Sequence, residues 1–67
     1  MLNPNIRLAA FRKARGLRQI DIAIKAGLSP ATVWTAEHGR KISIYSQKKI
    51  AAALGVGISD IFAVDAD

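Results

Sequence analysis

Few side chains in this sequence could carry out a reaction. One histidine, His38, no cysteine and five carboxylates stand among 67 residues. The carboxylates are scattered as Asp21 and Glu37, with Asp60, Asp65 and Asp67 near the end. Nucleophilic catalysis needs a nucleophile beside an oriented base, and a metal centre needs several ligands converging on one point. No such set can be assembled here, and there is no glycine-rich phosphate loop, so the sequence reads as a non-enzyme that needs neither metal nor cofactor. What is left is the chemistry of holding a polyanion. Lysine and arginine total ten, all within residues 1–59, where only Asp21 and Glu37 oppose them. A basic body suits a nucleic-acid partner, although solubility alone also accounts for such a balance.

Those charges must be positioned by a small scaffold. A chain of this size buries only about 60% of its unfolded surface, and without cysteine it has no disulfide or thiolate metal site to staple it. The opening MLNPNIRL carries no long apolar run, so neither a secretory signal nor a membrane span is expected. The reading is a single cytoplasmic domain over residues 1–67.

Helix signals then divide the chain. Asn3 is the expected cap of a first helix with Pro4 at its first position, carrying Ile6, Leu8, Ala9, Phe11 and Ala14 and running to Arg15 before Gly16. Gln19 opens a second helix with Ile20, Ile22, Ala23 and Ala26, closed by Gly27. Ser29 caps a third, Pro30 suits its first turn, and Gly39 ends it. Ser43 caps a fourth helix through Leu54, with Gln47, Ile50, Ala51 and Leu54 inward at i, i+3, i+4, i+7. Ser59 and Asp60 start a short last helix that carries Ile61 and Phe62 to the core. No stretch alternates well enough to compete as a strand, so the fold class is all-α.

The second and third helices, joined by a turn of about four residues containing Gly27, form a helix-turn-helix unit whose second member can lie in a DNA major groove. On the third helix Val33 and Ala36 face inward. Ala31, Trp34, Thr35 and His38 make an i, i+3, i+4, i+7 stripe on the opposite side, the one that would meet DNA.

The stretch LAAFRKARGLRQIDIAIKAGLSPATVWTAEHGR resembles the lambda repressor and Cro (XRE) family of DNA-binding domains, and KKIAAALGVGISDIF is similar to that family's fourth and fifth helices. The likeness covers residues 6–62. It implies a compact five-helix, lambda-repressor-like domain and a sequence-specific regulator of double-stranded DNA, of the small repressor type, bound as a homodimer to palindromic half-sites. It also implies roles for individual residues. Gln19 donates to a phosphate at the start of the second helix, unless it only caps that helix. Arg18 departs from the family's serine or threonine, losing a side-chain cap and offering a further phosphate contact. Arg40 and Lys41 touch phosphate from the loop after the third helix, or form a solvated turn, and Ser29 and His38 complete the phosphate set. Arg12 and Glu37 match a structural ion pair between the first and third helices.

Base reading is expected from Ala31, Thr32, Trp34 and Thr35. It looks thin, because Pro30 and Ala31 stand where relatives often place glutamine or serine; what remains is apolar contact from Ala31 and the Thr35 methyl to thymine methyls and hydroxyl bonds from Thr32 or Thr35. Trp34 fits a groove, a protein interface or a place against a neighbouring helix. The apolar residues Val56, Ile58, Ile61, Phe62 and Val64 are the candidate dimer surface, some of them also needed for the core. The other reading is a protein-binding module on the same fold, antitoxin-like or an adaptor, with Trp34 and the hydrophobic C-terminal segment as its surface.

Overall fold

Three short polar side chains set where helices begin. In a computed structural model describing residues 4–62, Asn5 Oδ1 accepts from the Leu8 N–H at 3.0 Å, Ser29 Oγ from Thr32 at 3.2 Å and Ser43 Oγ from Ser46 at 3.1 Å. Each satisfies an amide that has no partner within its own helix. The helices are α1 (Ile6–Ala14), α2 (Gln19–Ala26), α3 (Pro30–Glu37), α4 (Ile44–Leu54) and α5 (Ile58–Ile61), with no strand among the described residues.

Two of these starts differ from the sequence expectation. Asn3 lies outside the described residues, and Asn5 is the cap of α1, with Pro4 before the helix rather than inside it. The reason is tertiary. The Asn5 N–H donates to the Glu37 carbonyl at 2.8 Å, which ties the segment ahead of α1 to the end of α3. Ile6 is consequently 75% exposed and outside the buried stripe. Likewise α5 starts at Ile58 rather than at Ser59 or Asp60, because Asp60 acts from within the first turn: its carboxylate accepts the Gly57 N–H at 2.8 Å.

Helix ends rely on glycine where the chain turns left-handed. Gly27 has φ 69°, and the Leu28 N–H reaches back to the Ala23 carbonyl at 2.9 Å. An added methyl group there would meet nothing within 4 Å. The demand for glycine is therefore conformational rather than spatial.

The core is assembled from Leu8, Ile22, Ala23, Val33, Ala36, Ile50, Ala51, Leu54, Ile61 and Phe62, with Phe11, Leu17, Leu28, Ile42, Val56 and Ile58 packed around it. α2 packs on both α3 and α4, while α1 reaches α3 and α5. Ala23 and Ala36 are nearly solvent-free at these approaches, where a larger side chain would force the helices apart. Ile20, expected in the apolar run of α2, is nearly half exposed instead. Gln47, the polar member of the α4 stripe, is half-buried and donates from Nε2 to the Ile42 carbonyl at 3.3 Å, which accounts for its place there.

The C-terminal apolar segment is largely consumed by this core. Ile61 and Phe62 are buried, Val56 and Ile58 pack against them, and Val64 lies outside the described residues. Of the expected dimer surface, Ile61 and Phe62 are therefore taken by the core, and Val56 and Ile58 are half-buried against it. None of the helices among the described residues is long and apolar enough to cross a membrane.

Candidate nucleic-acid interface

α3 has two chemically distinct sides. Val33, Ala36 and Glu37 are buried, while Ala31, Trp34 and His38 are exposed and Thr32 and Thr35 are half-buried between them. The division follows from helical spacing, since residues three and four apart share a face. Ser29 and Thr32 are coupled locally: besides its cap bond, Ser29 Oγ lies 2.9 Å from Thr32 Oγ1. The Thr32 hydroxyl thus already has one neighbouring partner, with either oxygen able to donate. Trp34 is 47% exposed and its ring stacks on that of His38, centroids 3.6 Å apart and planes 20° from parallel. His38 Nδ1 sits 2.8 Å from the Trp34 carbonyl oxygen.

At the start of α2, Gln19 is half-buried, and the preceding Arg18 is extended and makes no side-chain cap. Asp21 supplies the cap instead. Its Oδ2 accepts the Arg18 N–H at 2.7 Å and Nε at 3.0 Å, and Oδ1 accepts from Nη2 at 3.0 Å. These bonds from Arg18, side chain first and backbone second, hold the Asp21 carboxyl below the usual carboxylate range. Arg18 is widely exposed but already carries a counter-charge. A carboxyl whose pKa falls on folding stabilises the folded state above its unfolded value of about 3.9 and loses that contribution as pH falls through the folded value. Asp21→Asn should therefore lower the melting temperature slightly at neutral pH. The gap from wild type should close below about pH 3.9 in melts run across the acid range.

At the other end of α3, Gly39 has φ 78° and the Arg40 N–H returns to the Thr35 carbonyl at 3.1 Å. This turn projects Arg40 and Lys41, both exposed, from the loop that follows. Gln19 and Arg18 thus mark the start of α2, and Arg40 and Lys41 the exit from α3.

Below the surface, Arg12 and Glu37 join α1 to α3. Arg12 Nη2 donates to Glu37 Oε1 at 3.0 Å, Nε to Oε2, and Nη1 to the Leu17 carbonyl at 2.8 Å. Both side chains are largely withdrawn from water. Hydrogen bonding to Glu37 raises the Arg12 pKa above its ordinary value, so the guanidinium keeps its charge. The backbone of Glu37 is engaged too, through the Asn5 N–H.

Sequence reasoning missed three of these links: the Arg18–Asp21 pair, the Trp34–His38 stack and the third bond of Arg12 to Leu17. The first two carry a local signal in their i, i+3 and i, i+4 spacing. The third does not.

A family profile described as Helix-turn-helix matches residues 8–61. The chain belongs to this helix-turn-helix family, of the Cro and C1 (XRE) type. Among solved structures, the restriction-modification controller protein C.AhdI from Aeromonas hydrophila is 34% identical and superposes with a TM-score of 0.80, over 87% of this chain and 89% of that one. No curated protein sequence matches. The five-helix architecture is therefore the lambda-repressor-like fold, with α2 and α3 as its helix-turn-helix and the chain a helix-turn-helix DNA-binding domain related to a restriction-modification controller protein.

Proposed function

We propose that the chain is a sequence-specific regulator of transcription, a small repressor that binds double-stranded DNA with α3 in the major groove. The observation carrying this reading is the outer side of α3. Ala31, Trp34 and His38 face solvent while the opposite side is built into the core, so the helix is presented rather than covered. Gln19 and Arg18 at one end, with Ser29, Arg40 and Lys41 around α3 and its exit, supply the phosphate contacts. Phosphate contacts fix register and base contacts specify sequence.

Ala31, Thr35 and Trp34 read bases chiefly through apolar contact with thymine methyls. Thr32, whose hydroxyl is shared with Ser29, contributes through its methyl group. The regulator binds as a homodimer to palindromic half-sites about 34–36 Å apart. Its dimer surface lies outside the C-terminal side chains that close the core. The similarity to a restriction-modification controller protein supports a regulatory role for so small a chain.

Selection of bound duplexes from a random pool tests the reading. A palindromic consensus is expected. Replacing Ala31, Trp34 or Thr35 should relax preference at single base pairs, whereas Gln19→Ala should weaken all sites alike. Enrichment no better than background would favour the second reading, a protein-binding module. The observation on its side is the Ser29–Thr32 contact, which ties one of the few hydroxyls of the base-reading set to a neighbouring side chain.

A further inference from the structure

The half-exposed Trp34 is the chain's one tryptophan. An indole on an open helix surface can adopt several rotamers, and fixing one of them on binding costs affinity. Here the ring is already committed. It lies against the His38 imidazole one helical turn on, at 3.6 Å between centroids. The imidazole is itself restrained, because Nδ1 stands 2.8 Å from the Trp34 carbonyl oxygen. A carbonyl only accepts, so this bond places a hydrogen on Nδ1. In the neutral ring Nε2 then carries a lone pair, which can accept but cannot donate to a phosphate oxygen. One residue thus grips Trp34 twice, by its ring face and through the main chain, while the neutral form offers nothing that would attract the DNA backbone.

We propose that His38 is a positioning residue for DNA recognition, holding the Trp34 indole in a single orientation on the outer face of α3 so that it meets the bases without first being ordered. This rests on the reading of α3 as the DNA-contacting helix. It assigns His38 a role separate from phosphate contact and explains how a tryptophan on a groove-facing stripe can contribute to sequence preference.

The test uses three substitutions and two readouts on the full chain. His38→Ala removes both restraints, His38→Phe keeps a stacking face without the hydrogen bond, and His38→Gln keeps hydrogen-bonding capacity without the ring. In the free protein, time-resolved Trp34 fluorescence should show one dominant lifetime and slow local depolarisation in the wild type. His38→Ala and His38→Gln should show several lifetimes and faster depolarisation, with His38→Phe close to wild type. On the selected duplex, His38→Ala should weaken binding about 3- to 10-fold, with the loss at the base pair that Trp34→Ala also affects. The double substitution should bind no worse than Trp34→Ala alone, since residues acting as a unit are non-additive.

Free-protein fluorescence unchanged by His38→Ala, additive losses on DNA, or equal rescue by glutamine and phenylalanine would each overturn the proposal. If the wild type selects no duplex, the DNA reading fails and takes the recognition role with it. That failure is distinguishable, because the fluorescence of the free protein would still respond to His38→Ala.

Discussion

Glu37→Gln should destabilise the domain by about 3–5 kcal/mol, the cost of leaving one member of a withdrawn ion pair without its counter-charge. The substitution preserves shape and changes only charge and hydrogen-bond polarity. One carboxylate oxygen becomes an NH2 group, and it would point at an Arg12 guanidinium that can only donate. A chain of 67 residues has a total stability of roughly 3–10 kcal/mol at the usual per-residue range. The single change thus removes a large share of it. With about 4–8 °C lost per kcal/mol in a domain this small, the melting temperature should fall by roughly 12 °C or more. Equilibrium denaturation by urea gives the same quantity where the thermal transition becomes too broad to fit. Replacing Arg12 and Glu37 together by methionine should cost less than Glu37→Gln, since no lone charge survives. It should not be neutral, because the Leu17 carbonyl loses the Nη1 donor at 2.8 Å. A melting temperature unchanged in Glu37→Gln would show that the pair is better solvated than its burial indicates.

The second large effect is on DNA binding. On the proposed DNA-binding reading, Arg40, Lys41 and Arg18, with further cations of the basic body, would give about three to four phosphate-neutralising contacts per subunit. That number predicts a log–log salt slope near −3 to −4 per subunit. Raising salt from about 50 to about 200 mM should then weaken binding roughly 60- to 250-fold per subunit. Fluorescence titration of the selected duplex at several salt concentrations measures this directly. The cations should not contribute equally. Arg40→Ala and Lys41→Ala should each flatten the slope by about one, whereas Arg18, already shared with Asp21 through side-chain bonds of 3.0 Å, should change it less. A slope near zero at measurable affinity would mean that the phosphate backbone is not what the protein holds.

The helix starts that could be read from sequence are those fixed by neighbours in the chain. Ser29 and Ser43 cap because an oxygen one side chain long meets an amide three residues on, and Gly27 and Gly55 close helices through left-handed turns. Such signals are complete within five or six residues. The start of α1 was not legible because Asn3 and Asn5 are equally able to cap. What decides between them is the carbonyl of Glu37, distant in sequence and adjacent in space.

The C-terminal residues were legible in part. The last helix brings Ile61 and Phe62 to the core as expected, but how much of the apolar segment the core uses depends on α5 packing against α1 and α4, which no local signal encodes. At the candidate interface, the outward direction of Ala31, Trp34 and His38 followed from helical period alone. How Trp34 lies depends on a ring orientation that no periodicity specifies.

The separation of the two sides of α3 carries an evolutionary consequence. Val33, Ala36 and Glu37 bear the folding constraints, and none of them faces outward; Ala31 and Trp34 face outward and lie outside the buried core. Mutations on the presented side are therefore nearly free of selection for stability. If that side reads the target as proposed, a lineage carrying this domain could exchange one target for another in single steps, each intermediate still folded, and duplicated copies could diverge in what they recognise without first having to relearn how to fold.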